Sequence, residues 1–187
     1  MRITITEHST PLGDLRIASN ASGLCALEFL ERWTIAAARL ERRFGAVSFE
    51  PGDPFGSSGK LNGYFAGDLP ELEALPVDAG GTPFQQRVWA ALREISAGET
   101  LSYSRLAARL GIPKAVRAVA SAVALNPVAL VIPCHRVVGN RGELRGYAGG
   151  LERKEWLLRH ESAPLSPICR PLGFATLHKS DSNLFPV

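Results

Sequence analysis

The sequence predicts an α/β protein built as two small domains: an antiparallel sheet with helices, then a mostly helical unit holding one short strand. Three observations predict it. Period-two alternation fills the first third of the 187 residues. Apolar stripes of helical period begin after residue 82. Between them, residues 69–81 contain Pro70, Pro76 and Gly80-Gly81, the composition of a linker. The expected division is 1–78 as a supporting domain, 79–161 as the domain that carries the chemistry, and 162–187 as a tail.

Met1, Ile3 and Ile5 alternate with Arg2, Thr4 and Thr6, the pattern of a half-buried strand. Turns follow at residues 11–14 and 20–23. Leu15-Arg16-Ile17 is a second strand, and Cys25, Leu27 and Phe29 share one face of a third. These strands read as an antiparallel meander. Residues 36–44 have helical composition, residues 50–58 read as a Pro/Gly/Ser loop, and residues 57–65 form a short helix.

Thr82-Pro83-Phe84-Gln85 is a strong helix start, with Thr as cap, Pro first and Gln closing a capping box. Phe84, Val88, Leu92 and Ile95 form its apolar stripe, and Gly98 is its stop. A helix capped by Ser102 ends at Gly111-Ile112-Pro113, and another runs from Lys114 to Leu125. Two short helices joined by a tight Gly-containing turn match a helix-turn-helix, though an ordinary helical hairpin has the same pattern. The tail is rich in Pro and Ser and has no periodicity.

Composition excludes several classes. No apolar run approaches the ~18 residues of a membrane span, and residues 1–6 lack the pattern of a secretory signal. Three Cys without CxxC spacing argue against a disulfide scaffold and favour a reducing cytoplasm. The net charge of +3 is unevenly spread. Residues 82–161 carry 12 Lys and Arg against 6 Asp and Glu, a net +6, and the remainder is net −3. A basic segment on a mildly acidic chain points to an anionic partner, and a solvated helix surface is the plainer alternative.

The most informative stretch is residues 126–139. An apolar, strand-like run delivers Cys134 beside His135 and Arg136, just after Pro133. The thiolate is the nucleophilic form of Cys, and a neighbouring positive group is expected to lower the thiol pKa towards neutrality. Glu161 supplies a carboxylate of the kind that holds a His tautomer, so Cys134, His135 and Glu161 are a candidate nucleophile set. A buried Cys with its neighbouring His on the opposite strand face is the alternative.

Ile132-Pro133-Cys134-His135-Arg136-Val137 resembles the active-site signature of the O6-methylguanine-DNA methyltransferases, or alkylguanine alkyltransferases. Further segments resemble that family in order: Phe84-Gln85-Gln86-Arg87-Val88-Trp89, Gly98-Glu99-Thr100-Leu101-Ser102-Tyr103, Arg117-Ala118-Val119, Asn126-Pro127, Gly146-Tyr147-Ala148-Gly149-Gly150-Leu151 and Lys154-Glu155-Trp156-Leu157-Leu158. The resemblance is close over residues 83–161 and looser before them.

The resemblance implies a ribonuclease H-like N-terminal domain and a repair activity on duplex DNA. An O6-alkylated guanine is rotated out of the stack and its alkyl group passes once, irreversibly, to Cys134. It implies that His135, held by Glu161, takes the thiol proton through a water, that Tyr103 donates towards the leaving guanine, and that Asn126 is a hinge. It assigns Arg117 to the space left by the flipped base. Ser102, Lys114, Ala118 and Ala122 are placed at the DNA. Tyr147, Ala148, Gly149, Gly150, Val137 and Lys154 are placed around the base. Many relatives carry Ser at the position of Ala148, so preferred alkyl size is open, as is action on O4-alkylthymine. No cofactor and no metal are implied, since Cys25 and His8 are too few for a zinc site. The implied protein is monomeric, binds no membrane, and has double-stranded DNA containing O6-alkylguanine as partner, with cooperativity on DNA open. The alternatives are a lesion-binding relative without transfer activity, a cysteine hydrolase and a helix-turn-helix regulator.

Overall fold

The structure is a computed structural model and describes residues 1–161. The tail, residues 162–187, which carries Cys169, lies outside the described residues. Strands β1 (Arg2–Thr10), β2 (Gly13–Asn20) and β3 (Gly23–Phe29) form the expected meander. Helix α1 (Trp33–Phe44) crosses from it to β4 (Ser48–Pro51), and α2 (Ser57–Phe65) follows. The C-terminal part holds α3 (Pro83–Arg93), β5 (Leu101–Ser102), α4 (Tyr103–Arg109), α5 (Val116–Ala124), β6 (Val137–Val138) and α6 (Leu151–His160).

The sheet order is β3-β2-β1-β4, and β4 runs parallel to β1. The sheet is therefore mixed rather than wholly antiparallel. Only residues 50 and 51 of β4 fall in the stretch 50–58 that reads as a loop. Four residues are too few to show alternation, and Pro51 is tolerated because β4 is an edge strand. Helix α5 starts at Val116, two residues later than expected, because Ala115 N–H closes a turn on Ile112 O at 2.9 Å. The capping box at Thr82 forms as expected, with Gln85 N–H on Thr82 Oγ1 at 3.2 Å and Thr82 N–H on Gln85 Oε1 at 2.9 Å.

The two halves share one core. Leu15, Leu27, Phe29 and Tyr64 pack in the same cluster as Val88, Leu92, Val137 and Leu157. The outer edge of β3 explains the join. An unpaired strand edge needs partners for its backbone. Leu24 N–H bonds Pro76 O, and Leu27 N–H bonds Pro127 O at 3.0 Å. Ala129 N–H returns to Leu27 O at 2.9 Å. The N-terminal sheet thus fixes the chain just before Cys134. Helix α3 packs on the helix-turn-helix of α4 and α5: Trp89 Nε1 donates to Ala122 O of α5 at 2.9 Å. The buried Ala107 and Ala122 keep α4 and α5 close.

Candidate active site

Residues 126–133 form a tight turn, not the strand the apolar run suggests. Ile132 N–H closes on Val128 O at 3.0 Å, and Leu130 is held at φ 68°, a left-handed conformation that costs a branched side chain energy. Asn126 organises this turn. Its Oδ1 accepts Val128 N–H at 3.0 Å, and its Nδ2 donates to Ile132 O at 2.8 Å. The same Nδ2 reaches Cys134 Sγ at 3.1 Å. Cys134 and His135 then lie on a 3-10 turn, Cys134–Arg136, immediately before β6. Short spacing and Pro133 break the strand the hydrophobic pattern favoured.

Behind the thiol lies a buried ion network. His135 Nε2 meets Glu161 Oε1 at 3.0 Å. Arg136 donates from Nε to Glu161 Oε2 at 2.9 Å and from Nη2 to Oε1 at 2.8 Å, and its Nη1 donates to Ile95 O. Tyr64 O–H, from α2, donates to Glu161 Oε1 at 2.7 Å. Burial by itself raises the Glu161 pKa, but the hydrogen bonds from His135 and Arg136 and the Arg136 charge outweigh it and hold the carboxyl far below its ordinary range. Burial depresses the His135 pKa, and the Glu161 hydrogen bond offsets this only in part. The imidazole is therefore neutral at rest, with Nε2–H on the carboxylate. Its Nδ1 is buried without a protein partner among the described residues, so it is the ring atom left to take a proton.

The thiol itself departs from expectation. Burial raises the Cys134 pKa, and the Asn126 hydrogen bond and the Lys154 charge offset that only partly. The Arg136 charge is spent on Glu161, which leaves Lys154 as the cation that lowers the thiol pKa, and burial outweighs it. Alkylation of the free protein by iodoacetamide is accordingly expected to titrate with a midpoint above that of an ordinary peptide cysteine. A thiolate already present at neutral pH would contradict this.

A small pocket opens beside Cys134. Tyr147, Ala148 and Gly149 line it as expected, together with Gly146, Asn126, Ala124 and Ala129. Gly149 is required there: a Cβ would stand 2.7 Å from the Phe29 ring. Tyr103 is half-buried, its hydroxyl donating to Arg145 O at 3.3 Å and Gly146 O at 3.4 Å. Burial and then the Cys134 charge raise its pKa, so it remains a proton donor.

Three expected pocket residues are elsewhere. Val137 is fully buried on β6, paired with Leu101. Lys154 is fully buried, its Nζ donating to Val137 O and to Arg145 O, so it ties the loop down rather than facing a base. Gly150, at φ 95°, caps α6 outside the pocket lining. On α5, Arg117 and Ala118 are exposed, but Ala122 faces α3 and is only 2% exposed. Ser121 and Ala124 hold the small exposed positions on that face instead. Lys114 is exposed before α5, and Ser102 caps α4 by accepting Arg105 N–H at 3.2 Å.

Four residues were not singled out from sequence: Tyr64, Arg136 as the Glu161 clamp, and Glu28 and Phe29 in the pocket wall. Arg136 lies inside the motif and was legible only as a neighbouring charge. The others come from the N-terminal domain, where nothing in the local pattern marks them.

Residues 83–163 match the model of the 6-O-methylguanine DNA methyltransferase DNA-binding domain, and residues 3–79 match the family's ribonuclease-like domain. The chain belongs to the 6-O-methylguanine DNA methyltransferase family. Within it, the chain is 44% identical over 169 residues to a methylated-DNA–protein-cysteine methyltransferase of Salmonella typhimurium, covering 86% of this chain and 96% of the relative. The crystal structure of Mycobacterium tuberculosis O6-methylguanine methyltransferase superposes with TM-score 0.71 at 40% identity, over 87% of this chain and 94% of that one. The structure of Mycobacterium tuberculosis OGT in complex with DNA superposes equally well, TM-score 0.71 at 40% identity, over 88% of this chain and 96% of that one. The methyltransferase fold expected from the sequence is the fold observed, with the sheet mixed as described.

Proposed function

We propose that the protein repairs duplex DNA by moving the alkyl group of O6-alkylguanine onto Cys134 in one irreversible turnover. The observation that carries this reading is the placement of Cys134 Sγ at the pocket wall, 3.1 Å from Asn126 Nδ2, with the neutral His135 and Glu161 pair behind it. Sulfur attacks the alkyl carbon, the S–C bond forms and the C–O6 bond breaks. The thiol proton passes through a water to His135 Nδ1, and Glu161 stabilises the imidazolium. The guanine leaves with the bonding electron pair, and Tyr103 donates towards the negative charge on its ring. Asn126 positions the sulfur as well as the turn. A thioether is stable to hydrolysis, which supports a single use.

The DNA lies against the exposed face of α5, with Arg117 entering the stack and Ala118, Ser121 and Ala124 allowing close approach. Lys114 and the α4 cap at Ser102 face the same duplex. As it stands the pocket offers about 20 Å³, room for about one water and not for a purine. Entry of a flipped base therefore requires residues 146–149 to move. Arg153 governs that movement from below: it donates to Leu12 O at 2.8 Å and to Gly149 O at 3.1 Å, stacks over Phe29 at 3.8 Å and pairs with Glu31. Ala148 offers no side-chain donor to O6, which leaves backbone N–H groups for that contact. No helix among the described residues is long and apolar enough to cross a membrane. The protein acts in the cytoplasm, where its thiols stay reduced.

Incubation with a duplex carrying methyl-labelled O6-methylguanine, followed by intact and peptide mass, tests the reading. One methyl on Cys134 per protein molecule is expected, and none in Cys134→Ser. Several methyl groups released per protein would mean a turning-over hydrolase. Lesion binding without any label would mean a recognition protein, and preference for one DNA sequence would mean a regulator.

A further inference from the structure

Helix α1 carries arginines that the transfer reaction does not use. Arg39, Arg42 and Arg43 line a cleft of about 280 Å³ between α1 and the start of α3, close to the roughly 300 Å³ at which ligand pockets begin. It is the larger of the two cavities that Glu28 borders. Arg43 is engaged, donating to Asp78 O at 2.6 Å and pairing with the Asp78 carboxylate. Arg39 and Arg42 make no hydrogen bond or close ion pair among the described residues.

The nearby carboxylates are occupied or turned away. Glu28 Oε1 accepts Phe29 N–H at 3.1 Å, and Oε2 faces Arg32 Nε at 3.5 Å. Asp78 is shared by Arg43 and Asn20. Glu41 is exposed and not part of the cleft lining. Arg39 is half-buried, and burial draws its pKa down, with attraction from Glu28 opposing. A partly desolvated cation without a close counter-ion is unfavourable until an anion joins it.

The position of the cleft selects the anion. Leu125, at the C-terminal end of α5, forms its rim and is 43% exposed. The cleft is therefore continuous with the exposed face of Arg117, Ala118, Ser121 and Ala124. That helix is nine residues, about 13 Å, long. A strand of duplex DNA carries a phosphate about every 3.4 Å, so a duplex seated along α5 brings backbone phosphates to the rim.

We propose that Arg39 and Arg42 hold a backbone phosphate of the DNA duplex in this cleft, making the N-terminal domain part of the DNA interface. The proposal rests on the placement of the duplex along α5 described above. Trp89, Leu40 and Pro127 shape the walls of the cleft.

The test is binding of an undamaged, labelled duplex as a function of salt, with the wild-type protein, Arg42→Gln and Arg39→Gln/Arg42→Gln. Losing both arginines is expected to make the slope of log K against log salt shallower by about one, the value for one phosphate, and losing Arg42 alone by part of that, with equal weakening on unrelated sequences. Transfer from O6-benzylguanine as a free base, which involves no phosphate, is expected to keep the wild-type rate. Arg42 is exposed, so the single variant isolates the charge from any effect on folding. An unchanged slope in both variants overturns the proposal while leaving the repair reading intact. Loss of thermal protection by inorganic phosphate with an unchanged DNA slope also overturns it, because the cleft is then a small-anion site. A wild-type protein that binds no duplex overturns both.

Discussion

Replacing Glu161 by Gln is expected to slow alkyl transfer to Cys134 by about 10²–10⁴-fold, the range for losing a proton acceptor or its correct tautomer. The carboxylate is acceptor to four donor groups: His135 Nε2, two nitrogens of Arg136, and the Tyr64 hydroxyl. A carboxamide accepts at one atom only, and its N–H2 opposes donors that are already fixed. The cheapest escape is for His135 to move its proton to Nδ1, which removes the atom that takes the thiol proton. Single-turnover transfer measured on duplex DNA reads the effect. Binding to undamaged duplex should hardly change, because Glu161 is buried away from α5. A transfer rate within a few-fold of wild type would show that His135 needs no carboxylate partner.

Replacing Arg136 by Met is expected to destabilise the protein by about 3–5 kcal/mol, the cost of leaving one partner of a buried ion pair uncompensated. Arg136 is 4% exposed and Glu161 2% exposed, so water cannot take over. The loss has a pH signature. The Glu161 carboxyl is held below its unfolded value of about 4.5, so its contribution is present above that pH and lost as acid protonates it in the folded state. The variant lacks this contribution, and its deficit against wild type should shrink below about pH 4.5. His135 adds a separate slope in both proteins. It is buried neutral, with a folded pKa below the unfolded 6.5, so stability falls as pH drops below about 6.5. Urea unfolding across pH checks both. A deficit that is constant from pH 7 to pH 3 would show that Arg136 acts through packing alone.

The elements were legible where local pattern and local chemistry agree. The α3 capping box and the 57–65 helix depend on contacts within a few residues, and they form where the sequence places them. The three-strand meander is equally local, since its turns and alternation lie within 30 residues. The reading failed where apolar content outran geometry. Residues 126–133 are rich in Val, Leu and Ile, yet Pro127, Pro133 and the Asn126 side chain fold them into a turn. The strand β4 was hidden because its pairing with β1 spans more than 40 residues of sequence.

The sequence by itself determined the family and marked Cys134, His135 and Glu161 as a candidate nucleophile set, because the motif puts a thiol beside an imidazole and a cation. It also determined that the exposed start of α5 carries Arg117. Only the tertiary structure decided how those residues are electrically set. The thiol pKa is raised rather than lowered, because burial of the sulfur outweighs the Asn126 hydrogen bond and the Lys154 charge. It also decided that Glu28 and Phe29 line the pocket beside Cys134, that Tyr64 joins the Glu161 network, and that Ala122, Val137 and Lys154 are buried against neighbouring elements. Charge and burial depend on what packs against a residue from distant parts of the chain, and no local spacing encodes that.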